Sequence, residues 1–241
     1  MLKIHGVPIS VHTRKVIVAA RMKKLQFENV PVILFTPPAG WERLSPTGKI
    51  PVVTDGDLTL ADSSVICAYL ERVHPKPALY PAEPRDYARA LWFEEYADGT
   101  VFRDVVHGLF FQKVIRPNIL KQETDHAAIA AIQNQAIPKV FGYLESAAAA
   151  GDLAAERAGI GEIAVTSNLV NYHYLGFAID KRRYPRLEAF FERQVRHPAM
   201  AAALAAEQPV AAQTISAGTN CAAALAPELP SVQLRCAFRC W

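Results

Sequence analysis

Two rhythms of apolar and polar positions divide the chain. As far as about Val73, short alternating runs interleave with helical ones. Leu2 to Ile4 alternates and predicts a short strand. Val11 to about Leu25 sets the apolar Ile17, Val18, Ala20 and Met22 against the polar Arg14, Lys15, Lys23 and Lys24, the pattern of a helix. Asn29 to Leu34 places Val30, Val32 and Leu34 on one face and predicts a second strand. After a Pro- and Gly-rich loop from Phe35 to Gly48, with one helical turn near Trp41 to Leu44, a hairpin is expected. Its strands are Val52-Val53-Thr54 and Leu58-Thr59-Leu60 about the turn Asp55-Gly56-Asp57. Ser64 to Val73 closes the region as a helix. The order βαβ then ββα predicts a mixed sheet with helices on its faces.

Beyond His74 the rhythm changes. His74 to Pro84 holds four prolines and reads as a linker. Helical spacing alone follows: Arg85 to about Phe111, Asp125 to Ala149, Glu162 to Phe177 and Pro185 to Arg196. These predict an all-α helical bundle. After about Pro209 the chain is Ala-rich and carries only Glu228, Arg235 and Arg239 as charges, so an irregular tail is expected there. The expected domains are residues 1–75 and 85–208, with 209–241 as the tail.

Composition narrows the function classes. A chain of 241 residues is long enough for two buried cores. A formal net charge of +3, spread along the chain, argues against nucleic acid as a partner. No apolar run suits a membrane span, and Met1 to His5 enters a strand pattern without a leader's apolar stretch, so a cytoplasmic location is expected. Cys67 stands alone, while Cys221, Cys236 and Cys240 fall in the tail, and no Cys-x-x-Cys pair occurs. A dithiol or zinc site is therefore not expected, and any thiol chemistry would come from a ligand.

Candidate chemistry gathers at three places. Pro51 follows the turn Ser45-Pro46-Thr47-Gly48 and opens a strand, one of the few places a sheet tolerates proline. A cis bond after Ile50 would turn backbone donors and acceptors outward, toward an extended ligand. Asp62-Ser63-Ser64 opens a helix and offers a carboxylate, hydroxyls and amides at its positive end. Ser10, after Pro8-Ile9, sits at the first strand–helix turn, where its hydroxyl could serve a ligand or simply cap the helix. Together these would suit a small peptide with a zwitterionic head.

Leu2-Lys3-Ile4-His5-Gly6, Val7-Pro8-Ile9-Ser10 with Arg14-Lys15-Val16, Gly48-Lys49-Ile50-Pro51, Asp62-Ser63 and the linker His74-Pro75 to Leu79-Tyr80-Pro81 occur in one order. In that order the chain resembles the cytosolic-type glutathione transferases of the serine type (bacterial, phi- or theta-like). The resemblance implies a thioredoxin-like α/β N-terminal domain, an all-α C-terminal domain and a homodimer, with Ala88, Leu91 and Trp92 as interface positions. It implies glutathione as cosubstrate, no metal, and an apolar electrophile as the second substrate; peroxide reduction, dehalogenation or a non-catalytic binding role are the alternatives. Ser10 would donate to the glutathione sulfur, with Thr13 as an alternative donor. Asp62 and Ser63 would hold the γ-glutamyl end, Ile50 before Pro51 the cysteinyl unit, and Lys49 the glycine carboxylate, with Trp41 as a possible second ligand. Val7, Ile9, Val11 and Phe35, with Phe102, Val106, Phe110, Phe111, His107 or Arg103, would line the electrophile pocket. Where the family caps its last long core helix with Ser or Thr and a following Asp, this chain has Gly159-Ile160-Gly161-Glu162.

Overall fold

The computed structural model describes residues 1–154 and 156–220, with side chains as far as residue 212. The described chain separates between Ala78 and Leu79 into two units.

The first unit is built on a four-stranded sheet ordered β2-β1-β3-β4. β1 (Leu2–His5) pairs in parallel with β2 (Phe27–Val30) and antiparallel with β3 (Val52–Asp55), which forms a hairpin with β4 (Leu58–Leu60). Helix α1 (Val11–Met22) makes the crossover between β1 and β2, and α3 (Ser63–Val73) packs against it. Ile4, Val16, Val18, Ile66 and Leu70 are all but sealed from solvent. The short α2 (Trp41–Leu44) places Trp41 in a separate cluster with Val32, Ile50 and Val52.

The second strand lies earlier than its apolar alternation suggests. The ladder ends at the His5–Val30 pair and the Gly6 amide bonded to the Val30 carbonyl. Gly6 then turns away with φ 151°, and Pro31 brings no amide to extend the pairing. Val32 owes its apolar character to packing on Trp41, not to a strand.

The cations of α1 are the larger departure from expectation. Arg14 and Lys15 are fully buried, and the Lys23 side chain is sealed. Lys23 Nζ lies 2.6 Å from Glu71 Oε2 and donates to the carbonyls of His74 (2.6 Å) and Pro77 (3.0 Å), so α1, α3 and the start of the linker share one buried charge. Lys15 and Lys23 find partners far off in sequence, which helical periodicity does not register.

The second unit is helical throughout its regular structure. Helix α4 (Pro84–Tyr96) continues as π-helical winding over Ala97–His107 and Phe111–Ile119, with a single α-turn, α5 (Gly108–Phe110), between them. Helix α6 (His126–Ala131) passes through a π-turn, Ile132–Ala136, into α7 (Ile137–Ala150). α8 (Ile160–Tyr174) has 12 of its 15 residues buried, the signature of a central helix surrounded by others. α9 (Pro185–Val195) and α10 (Pro198–Asn220) complete the unit.

The start of α8 explains its glycine. The Ile160 amide bonds the Leu79 carbonyl at 3.0 Å, and a Cβ on Gly159 would come within 3.0 Å of that same oxygen. Glu162 makes the reciprocal bond, reaching back to accept from the Gly159 amide at 3.2 Å.

The irregular tail expected from Pro209 does not begin there. α10 runs through Pro209, which forgoes one intrahelical bond within an alanine-rich, helix-favouring run. The turns beside it are anchored: Glu207 is buried and accepts from the Tyr174 hydroxyl at 2.8 Å, and Ala211 is buried. The expectations for Cys221, Cys236 and Cys240 lie outside the described residues. Among the described residues no helix is long and apolar enough to cross a membrane.

Candidate functional site

Strand direction brings the three candidate segments to one end of the sheet. β1 ends at His5, which pairs with Val52 at the start of the antiparallel β3. β4 returns to the same end, Leu60 pairing with Val53. The loop Gly6–Ser10, the Ile50-Pro51 step and the Asp62-Ser63 turn therefore leave the sheet side by side.

Ser10 is the N-cap of α1. Its amide bonds the Val7 carbonyl at 3.1 Å, and its hydroxyl oxygen accepts from the Thr13 amide at a long 3.5 Å. Capping uses an oxygen lone pair, so the O–H proton remains able to donate elsewhere. Cap and donor are compatible roles here. Thr13, by contrast, is fully buried, and a Cβ on Gly6 would come within 2.5 Å of its hydroxyl oxygen. It is packed too deep to act as a donor at the surface.

The Ile50–Pro51 bond is cis, and both residues are buried. Sheet pairing begins only at Val52. Lys49 is exposed, while its carbonyl accepts from Ser45 Oγ at 2.7 Å, which ties down the turn before it. Trp41 is buried, with its indole N–H directed at the Gly48 carbonyl 3.4 Å away, and so braces this turn from beneath.

Asp62 is exposed and caps α3: its Oδ1 accepts from the Ser64 amide at 2.9 Å and the Val65 amide at 3.0 Å. Ser63, beside it, is buried. Two residues under the site escaped sequence reasoning. Arg14 donates to the Ile9 carbonyl at 3.3 Å, in the loop that carries Ser10. Lys15 donates to Ser64 Oγ at 3.0 Å, in the turn that carries Asp62 and Ser63. Their only sequence signal was a pair of cations directly behind Ser10.

Residues 4–78 match a family model described as the glutathione S-transferase N-terminal domain. A glutathione S-transferase from Hyoscyamus muticus is 32% identical over 154 residues, 60% of this chain and 69% of that protein. The chain belongs to the glutathione S-transferase family. Another relative, the FtsZ-localized protein A of Caulobacter vibrioides, is 24% identical over 178 residues, 72% of this chain and 78% of that protein. Among solved structures, a glutathione S-transferase from Rhodospirillum rubrum superposes with a TM-score of 0.74 at 24% identity, covering 85% of this chain and 92% of that one. The sheet followed by a helical region is thus the fold of this family.

The residues expected to line an electrophile pocket differ in exposure. In the first unit Val11 is buried, while Val7, Ile9 and Phe35 are half-buried. In the second, Val106 is buried and Phe102, Phe110 and Phe111 are half-buried. Arg103 is exposed and engaged with Asp104, Nε to Oδ1, at 2.7 Å. The His107 ring lies 5.8 Å from that of Phe102, and burial holds its pKa below the ordinary imidazole value. Of the two polar candidates, His107 is the one placed beside an aromatic side chain.

Proposed function

We propose that this protein is a serine-type glutathione transferase that joins the glutathione thiolate to an apolar electrophile. In this reading the Ser10 hydroxyl donates to the glutathione sulfur. Asp62 takes the γ-glutamyl ammonium, and Ser63 the neighbouring carboxylate. The Ile50 backbone, ahead of Pro51, pairs with the cysteinyl unit, and the exposed Lys49 meets the glycine carboxylate. The observation that carries the reading is the Ser10 cap at the sheet end shared with Ile50-Pro51 and Asp62-Ser63.

Magnitudes support one hydroxyl as sufficient. Lowering a thiol pKa from about 8.5 by roughly two units takes about 2.7 kcal/mol. A hydrogen bond to a charged group contributes about 1.5–3 kcal/mol, and a helix N-terminus about 0.3–1 kcal/mol. The half-buried Val7 and Ile9, in the loop that carries Ser10, suit an apolar acceptor, which would be held in contact with the thiolate.

Retention on immobilised glutathione, followed by turnover of an aromatic halide, tests the reading. Ser10→Ala should bind glutathione nearly as well and turn over about tenfold to a hundredfold more slowly at neutral pH. Full activity in that variant, with an unchanged pKa of the bound thiol, would assign the donor role to another group.

The match to the FtsZ-localized protein supports a second reading, in which the fold serves as a binding or regulatory module. Glutathione retention without turnover of any electrophile would favour it. Either reading includes a two-fold dimer; of the interface positions Ala88, Leu91 and Trp92 on α4, Ala88 and Trp92 are exposed and Leu91 is half-buried. Sedimentation of a monomer alone at micromolar concentration would remove that element.

A further inference from the structure

Lys15 is buried completely, an expensive place for an amine. A helical lysine near a surface ordinarily lays its stem along apolar neighbours and keeps its head in water. This one turns inward and donates to Ser64 Oγ at 3.0 Å, across 49 positions of sequence. Ser64 in turn gives its amide to Asp62 Oδ1 at 2.9 Å. The amine of α1 is therefore two hydrogen bonds from the exposed carboxylate that opens α3, and Ser63 lies between them in sequence. Arg14, the preceding residue, makes the parallel contact to the Ile9 carbonyl. Adjacent cations of one helix thus hold both loops of the candidate site.

We propose that Lys15 is a positioning residue for glutathione: by fixing Ser64 it sets the first turn of α3 where Asp62 and Ser63 receive the γ-glutamyl end. The proposal rests on the role given to Asp62 and Ser63 above. A carboxylate and a neighbouring hydroxyl and amide must meet an ammonium and a carboxylate at once. Small rotations of the turn therefore forfeit one contact or the other. A bond whose only purpose was to join two helices would change stability and leave ligand affinity alone.

The test is calorimetric titration of glutathione into the intact protein and its Ser64→Ala and Lys15→Met variants, with thermal melts and steady-state turnover of an aromatic halide. Ser64→Ala should raise the glutathione Kd about three- to tenfold. Its kcat at saturating glutathione should stay within about twofold of wild type. Lys15→Met should show the same separation of affinity from kcat. The double variant should bind no more weakly than the weaker single one, because both changes break one bond. An unchanged Kd in Ser64→Ala overturns the positioning role, whatever becomes of Lys15→Met. Wild-type protein that fails to bind glutathione overturns the reading of Asp62 and Ser63 first, and the role of Lys15 with it.

Discussion

Asp62 at the start of α3 and Glu162 at the start of α8 perform one backbone task in opposite surroundings. Asp62 is exposed and caps two amides with a single oxygen, Oδ1. Glu162 has a side chain only 5% exposed, and both its oxygens are engaged. Oε2 accepts from the Gly159 amide, and Oε1 from Arg157 Nε at 3.0 Å and the Ala154 amide at 3.4 Å. Burial pushes the Glu162 carboxyl above the usual carboxylate range, against the pull of Arg157. A cap that satisfies its helix with one oxygen leaves the other outside the capping bonds. A cap enclosed on both sides serves the fold alone.

The largest effect should come from the enclosed cap. Glu162→Ala strips buried amides and Arg157 of their acceptor and should cost about 2–3 kcal/mol of stability, read from the urea midpoint. The gap should depend on pH with a definite sign. A carboxyl whose folded pKa is raised stabilises the fold most below its unfolded value of 4.5, and the contribution falls as pH rises through the folded value. Wild type and Glu162→Ala should therefore differ most in acid and less toward neutrality. A gap that widens with pH would mean that Arg157 prevails over burial.

Asp62→Ser sharpens the comparison from the other side. Serine caps a helix about as well as aspartate, so stability should change by no more than a few tenths of a kcal/mol. The carboxylate is lost, and glutathione affinity should fall about tenfold. Equal affinity would reduce Asp62 to a cap like Glu162.

The parts legible in the sequence were those set by local periodicity and turn chemistry. The β1 alternation, the hairpin about Asp55-Gly56-Asp57 and the helices of the second unit before α10 follow from spacing. The Ser10 and Asp62 caps follow from residue type, and Glu162 reaching back to Gly159 follows from its reach. What spacing concealed was long-range. Arg14 and Lys15 look solvent-facing on a helical wheel, but Lys15 meets Ser64, 49 residues away. Val32 alternates like a strand residue because it packs on Trp41. Pro209 reads as a stop, and the buried Glu207–Tyr174 contact beside it crosses 33 positions.

The sealed amine of Lys23 draws a boundary that the helix end does not. α3 stops at Val73, yet two of the three oxygens around that amine come from His74 and Pro77. A fragment cut after Val73 would keep every described strand and helix of the first unit and still leave a buried charge with Glu71 as its sole remaining acceptor of the three. One ending at Ala78 would carry the full set. Hydrogen-bond completeness around this amine thus runs past the end of α3 as far as Pro77.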